Sequence, residues 1–345
     1  MTSLLPEGVL DSLGMFDLAA RLPEQVEAAS RLGDVGPLPD HDAVENVVVL
    51  GMGGSGMAGE VVQAVAGPFM AVPVTQVRGY EAPSSVGDGT LCFAVSYSGD
   101  TEETVEAAQA AAEAGAHMVC LSAGGRLAEL AAAWDAAHVR LPDIPMPRAG
   151  IGALSIPPLL ILERVGLFPG AGQYVADAVE QLKRRRDQLV AGDAARRLAR
   201  AVGRTMPVAY GGGDLGRVAA QRFKNQVNEN AKAPAFANFH PELDHNEICG
   251  WGAHGDVTRQ VVTVVNFRHD FEHPQVMRRF ELTRDLLAEV VAGVHDVVAA
   301  GEGALAQLLD LVIQGDFASL HLAVELDVDP GPIPVLEDLK RALAR

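Results

Sequence analysis

The chain has 345 residues, 48% of them hydrophobic and 21% charged, which is a globular composition with length enough for about two domains. Its formal net charge of −18 excludes nucleic acid and acidic membrane surfaces as main partners, because both reward Lys and Arg. A small anionic ligand is not excluded, since a few local donors can hold one inside an acidic protein.

The first stretch, MTSLLPEGVLDSLGMFDLAARL, is acidic early and has no basic region, unlike a secretory signal. Residues 1–40 read as a helical lead-in, with Leu18, Leu22, Val26 and Ala29 at helical spacing. Residues 41–165 form a first α/β domain. Its first strand, NVVVL, is a β-branched run of the kind a parallel strand covered on both faces carries, and it leads into the turn GMGGSG and a helix. VPVTQV, LCFAVSYSG, HMVCLSAGG and HVRLP follow as strands, with TEETVEAAQAAAEAG and RLAELAAAW as helices. The longest apolar stretch, Ile151 to Leu162, is interrupted by Pro157 and Pro158 and falls short of the roughly 20 residues that a spanning helix needs. Residues 166–200 read as a helical linker whose basic run, Lys183 to Arg186, is a solvated face. Residues 201–345 repeat the plan. MPVAYGGGDLGRVAAQRFKNQVNE is again strand, Gly-rich turn and helix; QVVTVVNF and DFASLHLAVEL are strands around the helix VMRRFELTRDLLAEVVAG; VLEDLKRALAR closes the chain as a helix. The expected fold class is α/β, with two doubly wound, parallel-sheet, flavodoxin-like domains, a helical linker and a C-terminal helix. Cys92, Cys120 and Cys249 are odd in number and lack metal or redox spacing, so free thiols in a reducing, cytoplasmic compartment are expected.

GMGGSG has four glycines in six residues at a strand-to-helix junction, where backbone N–H groups and a helix N-terminus can face an anion. Gly51, Gly53 and Gly56 also satisfy the dinucleotide pattern GxGxxG, but the second strand ends in Arg78 where that fold expects an acidic residue. A P-loop is excluded, because no Lys-Ser/Thr follows the glycines. The third strand ends in SYSGDTEET. Ligands of parallel sheets sit at the carboxyl ends of strands, so the two turns can converge on one phosphomonoester through Ser55, Ser96, Ser98 and Thr101 without any cationic side chain. The alternative is that Ser98 or Asp100 caps the helix beginning near Thr101.

GMGGSG together with SYSGDTEET resembles the sugar isomerase (SIS) fold. NQVNENAKAPAFANFHPELDHNEICGW and the terminal LEDLKRAL resemble the bifunctional phosphoglucose/phosphomannose isomerases of archaea and some bacteria, in the same order along nearly the whole chain. The resemblance implies an aldose–ketose isomerase acting on a small phosphorylated sugar, with no cofactor and no metal. It implies Glu229 as the base, His245 as the ring-opening group, Lys340 beside the sugar ring, Arg148 facing the enediolate, and Gly53, Gly54, Ser55, Ser96, Ser98 and Thr101 at the phosphate. It further implies a homodimer in which the neighbouring subunit supplies His245. One departure is Gly331, near which relatives that accept both hexose epimers tend to carry Thr.

The residues support that chemistry on their own terms. Moving a proton between C1 and C2 of a sugar requires a carboxylate or similar base, opening the ring suits an imidazole, and an enediolate requires a fixed cation such as Arg. Other readings stand beside these. Glu229 and Lys340 are also ordinary helix-surface charges, and Arg148 an ordinary linker charge. His240, Asp244, His245, Glu247 and His254 form a candidate metal cluster, although the stretch contains Pro and lacks an i, i+4 helical His pair. HDFEH, from His269 to His273, reads as an exposed turn or helix start. A non-catalytic SIS-type sugar-phosphate regulator and a nucleotide-dependent oxidoreductase are the competing functions.

Overall fold

The computed structural model describes residues 9–343; the first eight residues of the expected lead-in and the last two of the closing helix lie outside them. The chain divides into two compact units. The first unit comprises Leu22–Leu182 with Gly301–Ala306, and the second comprises Met1–Arg21, Lys183–Ala300 and Gln307–Arg345.

In chain order the elements begin with α1 (Met15–Ala20), α2 (Leu22–Ala29), β1 (Asn46–Leu50), α3 (Gly53–Val65), β2 (Val74–Val77), β3 (Thr90–Val95), α4 (Glu102–Glu113), β4 (His117–Ser122), α5 (Gly125–Ala133), β5 (Ala137–Arg140) and α6 (Ile151–Val165). They continue with α7 (Ala171–Ala191), α8 (Ala194–Val202), β6 (Met206–Gly212), α9 (Gly213–Gln226), β7 (Phe236–His240), α10 (Gly255–Val261), β8 (Val262–Arg268), α11 (Pro274–Leu287), β9 (Gly293–Val298), α12 (Ala304–Glu325) and α13 (Pro334–Leu343). No described helix is long and apolar enough to cross a membrane.

The first unit holds a parallel five-stranded sheet in the order β2-β1-β3-β4-β5. Every residue of β3 is buried, as are Val47 to Leu50 of β1, because helices cover both faces of a parallel sheet. The alanines of α4 and α5 let those helices lie close against Val48, Leu50, Cys92, Ala94 and Cys120. Burial pushes the Cys92 thiol up and the Cys120 thiol up to about 12, so both behave as small apolar side chains, while Cys249 is exposed. The neighbours β1 and β3 leave their carboxyl ends side by side where the strand order reverses, which is where such sheets bind ligands. Helix α6 runs through Pro157 and Pro158 without ending and buries nearly all of its surface.

The second unit repeats the pattern with one strand fewer, β7-β6-β8-β9, again all parallel. Three expectations are corrected here. DFASLHLAVEL is not a strand but the C-terminal half of α12; it is buried on almost every side, so its continuous apolar run mimics an interior strand. The missing strands are the edges β7 and β9, whose sequences FANFH and GVHDVV are too polar to stand out. The Lys183–Arg186 run is not merely a solvated face, because Arg185 grips the buried Asp310 through Nε–Oδ1 and Nη2–Oδ2 bonds of 2.8 Å each. HDFEH is, as expected, a helix start, with His273 the N-cap of α11, but it is not exposed throughout: His269 and Glu272 are 6% and 5% exposed.

Candidate functional site

In the first unit, β1 passes into α3 through Gly51 and Met52, and Gly53 adopts φ +52°. Gly56 lies so close to the preceding turn that a Cβ there would stand 2.8 Å from the Gly51 carbonyl oxygen. The second turn, after β3, is pinned at Gly99, where φ is +80° and a Cβ would stand 1.9 Å from the Gly124 oxygen. The N-termini of α3 and α4 therefore open beside each other at the switch point.

The hydroxyls divide by role. Ser96 is fully buried, and its Oγ accepts the N–H groups of Gly99 (3.1 Å) and Thr101 (3.4 Å) and lies 2.8 Å from Thr101 Oγ1. Ser96 and Thr101 share one hydroxyl–hydroxyl hydrogen bond in which either oxygen can donate, so the pair keeps one proton beyond that bond. Ser55 Oγ accepts the Tyr97 N–H at 3.1 Å, and Ser98 Oγ accepts the Asp100 N–H at 3.2 Å, so each keeps its own proton to donate. Ser55 and Ser98 thus keep protons to donate, and the bonded Ser96–Thr101 pair shapes the turn with one proton to spare. The capping alternative does not describe this loop: Thr101 occupies the N-cap of α4 without a side-chain cap bond, and Asp100 Oδ1 instead accepts the Arg126 N–H of α5 at 2.8 Å.

Arg148 belongs to the same unit. It lies in a 3₁₀ turn, Pro147–Ala149, is 4% exposed, and its backbone packs against Gly54, where a Cβ would stand 3.5 Å from the Arg148 Cα. Two residues that the sequence reading did not single out hold this turn. The Tyr97 hydroxyl takes the Ile144 N–H and approaches the Pro142 and Ile144 carbonyls at 3.1 and 3.0 Å; burial raises its pKa and keeps it protonated. The Gln25 side chain accepts the Gly152 N–H at 2.7 Å and donates to the Ala149 carbonyl at 2.9 Å, capping α6 directly after Arg148. Tyr97 was visible inside SYSG, whereas nothing near Gln25 signals a contact more than a hundred residues away.

The second unit holds the other expected residues. Glu229 sits on a single π-helical turn, Val227–Ala231, that ends α9; such turns recur at functional sites. Together with Asn228, Lys232 and Ile333–Leu336 it lines a cavity of about 370 Å³. The Lys232 ammonium donates to the Asp329 carbonyl at 2.6 Å and the Asn230 carbonyl at 3.3 Å. Lys340 is exposed on α13, four residues beyond the cavity-lining Leu336 and so on the same helical face. His245 is exposed at the end of the 3₁₀ turn Glu242–His245 and is not among the residues lining that cavity. Gly331 faces Leu13, whose Cγ a Cβ would meet at 2.8 Å, and it too is absent from the cavity lining.

The segment carrying His245 is anchored from below. Tyr210 is fully buried, burial raises its phenol pKa, and its hydroxyl donates to Glu247 while accepting Trp251 Nε1–H at 3.0 Å. Glu247 also accepts Asn238 Nδ2–H at 2.7 Å. His240, lowered in pKa by burial, bonds Asp244 at 2.8 Å. The candidate metal cluster is therefore dispersed among separate partners, and among the described residues no group of three or more His, Cys, Asp or Glu side chains is placed to hold a metal ion.

Residues 43–137 match the model of the SIS domain, and residues 192–343 match that of the bacterial phospho-glucose isomerase C-terminal SIS domain. A bifunctional phosphoglucose/phosphomannose isomerase of Caldicellulosiruptor bescii is 33% identical over 337 residues, covering 96% of this chain and 99% of the relative. A protein of the same name from Thermoplasma acidophilum is 30% identical over 299 residues, covering 87% of this chain and 90% of the relative. Among solved structures, the C-terminal domain of glucosamine-fructose-6-phosphate aminotransferase from Francisella tularensis superposes with a TM-score of 0.70 at 15% identity, covering 92% of this chain and 98% of that one, which shows a shared fold. With near end-to-end similarity to the Caldicellulosiruptor protein, two parallel SIS-type sheets and hydroxyl-lined turns at the first switch point, the chain belongs to the bifunctional phosphoglucose/phosphomannose isomerase family.

Proposed function

We propose that this protein is an aldose–ketose isomerase that interconverts glucose 6-phosphate and mannose 6-phosphate with fructose 6-phosphate through a cis-enediolate, without a metal. The observation that carries this reading is the pair of turns in which the Ser55 and Ser98 hydroxyls, and one of the bonded Ser96–Thr101 pair, keep a proton for an acceptor, backed by two helix N-termini. They hold the phosphate, with Gly53 and Gly54 allowing the backbone close to it. His245, supplied by a second copy of the chain, opens the sugar ring, and Lys340 assists there. Glu229 takes the C2 proton of the aldose and returns it to C1, while a proton passes from O2 to O1, so no external oxidant or reductant is involved. Arg148 stabilises the negative oxygen of the enediolate. The exposed Val335, Leu336, Leu339 and Leu343 of α13 are apolar surface of the kind that a homodimer covers, and the three free cysteines fit a cytoplasmic protein.

A coupled assay with each aldose phosphate, run with and without EDTA, tests this directly. Turnover of both sugars at a rate unaffected by the chelator is the expected result. A folded protein that turns over neither sugar, or only after metal is restored, overturns the reading.

The Arg148 turn supplies a second test. Tyr97→Phe keeps the backbone N–H that Ser55 uses but removes the acceptor of the Ile144 N–H. We expect kcat to fall about tenfold with KM near the wild-type value, because one hydrogen bond is lost and the phosphate donors remain. An unchanged kcat would show that Arg148 does not depend on this strut.

A further inference from the structure

The two Gly-rich turns match residue for residue. GMGGSG (Gly51 to Gly56) corresponds to GGGDLG (Gly211 to Gly216), and the third residue of each, Gly53 and Gly213, has φ of +52° and +56°. A Cβ on Gly56 would stand 2.8 Å from the Gly51 oxygen, and one on Gly216 would stand 3.0 Å from the Gly211 carbonyl carbon. The following loops have equal length: five residues separate Val95 from the N-cap Thr101, and five separate Phe267 from the N-cap His273. On this match Leu215 stands for Ser55, Arg268 for Ser96, Asp270 for Ser98 and His273 for Thr101, so the second turn pair has kept its backbone and lost every hydroxyl. Glu272 stands for Asp100.

That last pair behaves oppositely. Asp100 is exposed and engages Arg126 of α5. Glu272 points inward with a fully buried side chain. Its Oε1 lies 2.9 Å from where a Cβ of Gly212, the N-cap of α9, would stand. Arg268 binds it through Nε (2.8 and 3.0 Å) and Nη2 (2.7 Å), and the His269 N–H donates to Oε1 at 3.1 Å. The Arg268 guanidinium is itself stacked over Phe280 at 4.0 Å. His269 closes the loop: Nδ1 accepts the Phe271 N–H, so Nε2 carries the proton and donates it to the Gly212 carbonyl at 2.7 Å. Asp270 is turned away onto Gln307.

We propose that the second Gly-rich turn is an anion site whose permanent ligand is the chain's own Glu272 carboxylate, held by Arg268 and the His269 N–H. The consequence that each chain takes up one phosphorylated sugar, not two, rests on the functional reading above; the tethered-ligand claim does not. A carboxylate on a short tether has no competitor at millimolar concentration, so the site stays closed to free anions.

Two measurements test this. Calorimetry of the wild-type protein with fructose 6-phosphate should give one sugar per chain; two per chain overturns the proposal, and none overturns the functional reading instead. The second uses inorganic phosphate and the thermal midpoint of three proteins. Glu272→Ala leaves Arg268 with an empty space, so phosphate should raise its midpoint by about 5 °C more than it raises that of the wild type or of Glu272→Gln, in which an amide fills the space. Equal phosphate shifts in all three overturn the proposal. Should Glu272→Ala not fold without phosphate, its recovery when refolded in phosphate but not in chloride is the expected result, and failure in both overturns it.

Discussion

Glu229→Gln should lower kcat by about 10²-fold or more on both aldose phosphates while leaving phosphate affinity nearly intact. The substitution keeps the size and shape of the side chain but removes the basic carboxylate. The hydroxyls proposed to hold the phosphate belong to the first unit, and Glu229 belongs to the second, so the change leaves the donor set of Ser55, Ser98 and the Ser96–Thr101 pair untouched. Binding and chemistry should therefore separate: KM stays close to wild type and kcat collapses. A direct probe of the same step is exchange of the substrate C2 proton with solvent, which should fall in parallel with kcat. If Glu229→Gln turns over either sugar at more than about a tenth of the wild-type rate, Glu229 is not the base. In that case Glu229 only lines the cavity beside Ile333–Leu336.

What could be read from the sequence follows from what each element must satisfy alone. Strands β1 and β3 are covered on both faces, so NVVVL and LCFAV carry their burial openly. The turns were legible because close backbone approaches at Gly56 and Gly99 admit little but glycine. Edge strands β7 and β9 answer to weaker demands, since one side of each is unpaired, and their polar residues hid them. Helix α12 failed for the opposite reason: burial around its whole circumference erases the 3.6-residue period that marks a helix. The site shows the same division. Hydroxyls within nine residues of one another could be grouped by eye. The wall that Ile333–Leu336 adds to the Glu229 cavity, and the Gln25 cap behind Arg148, join segments about a hundred residues or more apart and leave no local pattern. In HDFEH the helix start was legible, His273 being the N-cap of α11, whereas the burial of Glu272 against Arg268 was not.

Arg222→Met should cost the second unit about 3–5 kcal/mol. Arg222 and Asp316 are almost wholly buried and meet through Nε–Oδ1 (3.1 Å) and Nη2–Oδ2 (2.7 Å). Removing the guanidinium strands the Asp316 carboxylate away from water with its strongest partner gone, and the penalty is that uncompensated charge and not the net worth of the pair. The double variant Arg222→Met/Asp316→Leu should accordingly recover most of the loss, as apolar side chains of similar volume fill the space. Urea unfolding of the wild type, both single variants and the double variant gives the coupling energy. The functional readout should diverge from the stability readout. Helix α9 ends in the π-helical turn that carries Glu229, and Asn230 beside it bonds Ser319 Oγ at 2.9 Å, while that hydroxyl donates to the Asp316 carbonyl at 2.7 Å. The ion pair fixes α9 against α12 just where this network hangs, so apolar packing restores the stability without restoring the register of the turn. The double variant should therefore be stable yet slower than wild type in kcat. A single-variant cost below about 1 kcal/mol would show that α9 is held by its apolar contacts alone, and a double variant with full kcat would show that the ion pair has no part in placing Glu229.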